Sequence, residues 1–169
     1  MMMSFKNFLG TALAAGVVLS VIASPSAAQG TKQSSVQAPK PPPAPERKPH
    51  RLILQVNTNE AAMMNLALNN AANVAQYYQD LGEKVEIEVV TFGPGLHMLR
   101  DDTSPVKARI KAMTASTPAI TFKACGNTQG NMSKAENKDI ALIPEAAVVK
   151  SGVVRVMELQ EKGWTYVRP

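Results

Sequence analysis

A single cysteine, Cys125, stands in the whole 169-residue sequence. That scarcity excludes an internal disulfide, a CxxC redox pair and a cysteine-based zinc site. Histidine is nearly as rare: His50 and His97 are the only two, and they lie far apart in the chain. Three of the nine methionines stand at the extreme N-terminus, and the others mostly fit helix-core spacing. No metal and no cofactor is therefore expected. A glycine-rich phosphate turn is also missing, because the first apolar run leads into Asn57-Thr58-Asn59-Glu60. Gly93-Pro94-Gly95 offers two glycines of a dinucleotide fingerprint, but after the second apolar run, where they read better as a tight turn. A concentrated basic face is lacking as well. The formal charge is +5, yet residues 51–169 hold thirteen basic and twelve acidic side chains, a net of +1. The excess sits in the N-terminal part, which argues against a nucleic-acid partner.

The first 28 residues have the layout of a cleavable export signal. Lys6 gives the positive start, Leu9–Ala23 is an uncharged apolar core, and Ser26-Ala27-Ala28 supplies the small residues read by signal peptidase. Cleavage after Ala28 and a periplasmic location are expected, with no membrane span in the mature chain. The alternative, an uncleaved anchor, meets a core shorter than the roughly 20 residues a bilayer span needs. Residues 29–50 are rich in Pro, Lys, Gln and Ser and end in "APKPPPAPERKPH". Successive prolines exclude helix and central strand, so this stretch reads as an extended, disordered tether, or less simply as a PxxP ligand.

Residues 51–169 suit one domain. "RLILQV" (51–56) reads as a strand buried on both faces. The polar run 57–60 reads as the cap of a helix that ends at Gly82, with Met64, Leu68, Ala71, Ala75 and Tyr78 on one face. "KVEIEVVTF" (84–92) is a second strand, and a helical turn is expected over Leu96–Arg100. Ser104-Pro105 reads as the start of a helix carrying Val106, Ile110 and Met113 inward. "AITFKA" (119–124) is the third strand, followed by a helix weakened by Gly130. "PEAAVV" (144–149) is the fourth. Ser151 caps a helix expected to turn Val154, Met157 and the stem of Glu161 toward the core, and "WTYV" (164–167) is the last strand. This alternation predicts an α/β fold, a three-layer α/β/α sandwich on a mostly parallel five-stranded sheet.

The helical stretch 61–79 contains no charged residue, and Asn65, Asn69, Asn73 and Gln76 form a stripe beside its apolar face. An exposed face usually carries Lys and Glu rather than Asn. The stripe is read as a surface covered by another subunit, or else as an exposed polar face of unusual composition.

Cys125 ends the third strand. In open parallel sheets ligands gather outside the carboxyl ends of the strands, where Asn57 and Gly93 also fall. A helix starting at Gly126-Asn127-Thr128 would aim N–H groups at the sulfur and favour the thiolate, with Lys123 adding to the effect. The bland reading is a cysteine packed like an alanine. His97 is the one candidate for proton transfer, provided the second and third strands are neighbours.

"MNLALNNAANVAQYY" (64–78), "VEIEVVTFGPGLHML" (85–99) and "TFKACGNT" (121–128) together resemble the DsrE/DsrF family, also called DsrE-like or YchN-like. The similarity spans residues 51–168 and rests on the order and spacing of these segments. The resemblance implies a five-stranded α/β sandwich, a homo-oligomer such as a trimer or hexamer, and, in sulfur-relay members, a cysteine that carries persulfide sulfur. Cys125 falls at that cysteine's place. Relay members are cytoplasmic and work in hetero-oligomers, whereas this chain begins with an export signal. The function expected is sulfane-sulfur binding and transfer through Cys125, with Gly126, Asn127 and Thr128 as hydrogen-bond donors and Asn57, Gly93 and His97 around the site. A donor or acceptor protein is the expected partner. This is a carrier's role at most, since no second nucleophile or convincing base accompanies the cysteine. The alternative is a non-catalytic, homo-oligomeric module that binds a small molecule or protein, with a structural cysteine.

Overall fold

The computed structural model describes residues 48–169. The expected export signal and the expected tether up to residue 47 lie outside the described residues. His50, placed at the end of the tether by sequence, is instead the first residue of a strand.

Five strands form one parallel sheet: β1 (His50–Val56), β2 (Val85–Thr91), β3 (Ile120–Cys125), β4 (Ala146–Val149) and β5 (Thr165–Val167), in the order β4-β3-β2-β1-β5. Parallel pairing requires a crossover between successive strands. These are α1 (Ala61–Asp80), a 3₁₀ segment (Gly93–Leu99) with α2 (Lys107–Ser116), α3 (Gly126–Glu136) and α4 (Gly152–Glu161).

Handedness assigns the layers. The chain steps from β1 to β4 in one direction, so right-handed crossovers place the first three connections on the same face. Leu52, Leu54, Ile87, Val89 and Phe122 of the sheet pack there with Met64 and Leu68 of α1, Ile110 of α2 and Met132 of α3. The step from β4 back to β5 runs the opposite way, past three strands, and puts α4 on the other face. Val156 and Leu159 of α4 cover Ile53 and Val90 there, joined by Phe92, Trp164 and Tyr166. The result is the three-layer α/β/α sandwich with a five-stranded sheet.

Several local expectations shift. α1 begins at Ala61 without a side-chain cap, because Thr58 Oγ1 accepts the Glu60 N–H and closes a turn ahead of the helix. Gly82 has φ +66°, the left-handed geometry that ends it. α2 starts at Lys107, since the Ser104 hydroxyl donates to Met98 O (2.6 Å) and anchors the preceding segment instead of capping a helix at Pro105. α3 runs unbroken through Gly130. Tertiary anchors at both ends outweigh that residue's poor propensity: Asn127 N–H donates to Lys150 O at its start, and Glu136 is held by Arg100 at its end.

The largest correction concerns α4. Val154, Met157 and Glu161 face solvent, and the buried stripe is Gly152, Val156 and Leu159. Apolar residues at 153, 154, 156, 157 and 159 allow two helical stripes. Gly152 decides between them, because only a residue without a side chain fits where it meets Phe92 and Cys125. Among the described residues no helix is long and apolar enough to cross a membrane.

Candidate functional site at the carboxyl ends of β3 and β4

The connection leaving β3 goes to one face of the sheet and the connection leaving β4 goes to the other. In open parallel sheets such a reversal opens a crevice between the two strand ends, a place favoured for ligands. Cys125 is the last residue of β3 and lies opposite Val149, the last residue of β4.

The sulfur is also the N-cap of α3. Thr128 N–H donates to Sγ at 3.5 Å, so a thiolate here would meet one of the free donors of the first turn. The Thr128 hydroxyl is held in place by the Gly93 N–H, which donates to Thr128 Oγ1 at 3.0 Å. Gly93 has φ +53°, a turn geometry that glycine adopts without strain. Burial pushes the Cys125 thiol upward. Hydrogen bonds from the Thr128 hydroxyl and from the backbone N–H groups of Gly152, Thr128 and Asn127 outweigh it, and the net shift is downward. Gly152 is the first residue of α4, so the amino ends of two helices meet at one sulfur. A Cβ on Gly152 would lie 3.2 Å from Cys125 Cβ and 2.8 Å from Phe92 Cδ1.

Cys125 is 4% exposed, so the donors surround a nearly covered atom. Beside it a cleft of about 550 Å³ is lined by Asn127, Val149, Lys150, Ser151, Val154, Arg155 and Glu158. Cys125 itself does not line that cleft.

Of the residues singled out in the sequence, Gly126, Asn127, Thr128 and Gly93 converge with Cys125. Gly126 packs under β4, where an added Cβ would come within 3.2 Å of Val149 O. Asn57 and His97 do not join them. Asn57 follows β1, two strands from β3, and lines a separate small cavity with Thr58 and Arg168. β2 and β3 are neighbours, as the role for His97 required, but His97 Nδ1 pairs with Thr103 Oγ1 at 2.8 Å and no hydrogen bond connects it to Cys125. Sequence reasoning missed Gly152. The signal was present, since Ser151-Gly152 follows β4 much as Cys125-Gly126 closes β3.

The asparagine stripe is partly used within the chain. Arg109 of α2 donates to Asn65 Oδ1 (2.8 Å) and Asn69 Oδ1 (2.5 Å), and Gln76 donates to Asp80 (2.7 Å). Among the described residues no group of His, Cys, Asp and Glu is placed to hold a metal ion.

The architecture and the site define an α/β protein with a single sulfur at the switch point of a parallel sheet. Among solved structures it is similar to a protein of unknown function, MTH1491 from Methanobacterium thermoautotrophicum, with 29% identity and a TM-score of 0.60 over 71% of this chain and 99% of that one. No family model and no curated protein matches the chain.

Proposed function

We propose that this is an exported, DsrE-like sulfur carrier that holds sulfane sulfur on Cys125 as a persulfide. One observation carries the reading: Cys125 Sγ caps α3 and accepts the Thr128 N–H at 3.5 Å, with Gly152 at the start of α4 packed against the same side chain, an arrangement that favours the thiolate. The thiolate attacks the outer sulfur of a donor persulfide or polysulfide. A new S–S bond forms at Cys125, the donor's S–S bond breaks, and the donor leaves as a thiolate, with no net oxidation. An acceptor thiolate reverses the sequence at the outer sulfur, and the same N–H groups stabilise Cys125 as it leaves. Neither step needs a general base, so the pairing of His97 with Thr103 is no obstacle.

The export signal and the proline-rich tether support a periplasmic location, with a donor or acceptor protein as partner. Self-association is supported by α4, whose outer side exposes Val153, Val154 and Met157. An apolar face of this kind is commonly covered by another subunit.

Purified full-length chain is incubated with polysulfide in the absence of oxygen and weighed intact. The carrier reading expects a gain of one sulfur, removed by cyanide and absent in Cys125→Ser. No gain on the native chain sinks it. The 4% exposure of Cys125 favours a second reading, a binding module in which the sulfur only packs. That reading expects iodoacetamide to label the thiol only after unfolding.

A further inference from the structure

A cavity of about 400 Å³ lies between the C-terminal half of α1 and the edge made by β1 and β5, far from Cys125 in the strand order. Its walls include His50, Asn73, Val74, Tyr77, Tyr78 and Val167. The His50 ring stacks on Tyr78 with centroids 3.8 Å apart, and Tyr77 stands edge-on to Tyr78 at 5.2 Å. Tyr77 is 62% exposed. Three clustered rings thus line an open groove on a helix that has no charge between residues 61 and 79. Asn73 belongs to the same stripe as Asn65 and Asn69, yet its amide has no hydrogen-bond partner among the described residues.

Aromatic rings flanked by the Asn73 amide suit one kind of peptide. A polyproline helix packs its rings on aromatic faces and presents backbone carbonyls that lack internal partners. We infer that this groove receives the proline-rich segment Pro39–Arg47 of a second copy of the chain. The segment contains PxxP twice, as Pro39–Pro42 and Pro42–Pro45. One such repeat is a polyproline turn of about 9 Å. The groove wall from Asn73 to Tyr77 is one helical turn, about 6 Å plus the reach of the ring. A second copy is favoured over the same chain because the tether enters at His50, itself a groove residue. Filling its own groove would require a reversal at Lys48-Pro49, where proline fixes φ and holds its predecessor extended.

The test uses the full chain and a synthetic peptide of residues 38–47, followed by NMR. The expected result is saturable shifts at Tyr78 and Val167, with affinity about tenfold weaker in Tyr77→Ser, as for loss of an interfacial tyrosine. Tyr77 is exposed, so that variant should fold. A second chain carries glycine at Pro41, Pro42, Pro43 and Pro45. Shifts in this chain alone mean that the native groove is already filled by the tether, and light scattering then decides. A native chain of higher mass than the glycine chain supports the second copy, whereas a monomeric native chain holds its own segment and overturns that assignment. No shift in either chain overturns the groove as a polyproline site.

Discussion

Arg155 of α4 takes both carboxylate oxygens of Glu88 in the middle of β2, Nε to Oε1 at 2.6 Å and Nη2 to Oε2 at 2.8 Å. Glu88 is 3% exposed, so this fork is what allows a charge to sit beneath α4 on the second face. Removing one partner strands the other. Arg155→Ala should therefore lower stability by about 2–4 kcal/mol, somewhat below the range for fully buried pairs because Arg155 is part-exposed. Glu88→Leu with Arg155→Met should recover most of that loss. Urea unfolding of the three chains measures it, and equal stability of Arg155→Ala and wild type would contradict the role given to the pair.

The Thr128 hydroxyl is one of the groups lowering the Cys125 thiol pKa. Thr128→Val removes a donor to the thiolate and so moves the pKa upward. Iodoacetamide labelling near neutral pH should slow roughly two- to tenfold, the span given by one net hydrogen bond of about 0.5–1.5 kcal/mol. The midpoint of the pH–rate profile should rise. A slower rate with an unmoved midpoint would mean altered access instead.

Two glycines predict opposite outcomes. Gly152→Ala drives a Cβ to 2.8 Å from Phe92 Cδ1, which should cost about 1–3 kcal/mol and displace the N–H near the sulfur. Gly130→Ala meets nothing within 4 Å in mid-helix and should stabilise by about 0.5–1 kcal/mol. Thermal melts of the two variants should move in opposite directions.

Arg100, 1% exposed, joins α3 to the loop before α2. It donates to Asp102 Oδ1 (2.9 Å) and Glu136 Oε2 (2.8 Å), and Lys138 adds a contact of 2.9 Å to Asp102. The Arg100 hydrogen bonds hold Asp102 well below the usual carboxylate range and bring Glu136 down to about 2. Both folded pKa values are depressed, so their stabilisation is complete above the ordinary carboxylate pKa. It is lost as pH falls from about 4 toward about 2. Urea midpoints across this window should decline, and the decline should be shallower in Glu136→Gln.

If the exposed face of α4 joins subunits, Met157→Lys should dissociate the oligomer while leaving the fold intact, because Met157 is 54% exposed. Light scattering reads the mass. A wild-type monomer would remove self-association from the proposed function.

The layers were legible because they depend on local signals. Alternating apolar runs, Gly82 after α1 and Pro118 after α2 mark the elements, and their alternation implies a parallel sheet. What the sequence hid depends on contacts between distant segments. Glu88 looked like one of the polar positions of an alternating strand, because nothing near it announces Arg155. Arg100 looked like the end of a helical turn, with its partners up to 36 residues away. The site divided in the same way. Cys125 through Thr128 could be read from adjacency, whereas Gly152 reaches the sulfur only through the β3–β4 pairing. Asn57 was carried elsewhere by the strand order, and His97, though it follows the strand next to β3, pairs with Thr103 instead.

Because β5 lies beside β1, the earliest and latest strands of the described chain are neighbours. During synthesis the half-built sheet must wait, with Ile53 and Val90 uncovered, until its final segment emerges. Such distant pairings form slowly. Losing a few residues from the tail would thus strip one border of the sheet and leave a naked strand open to promiscuous pairing.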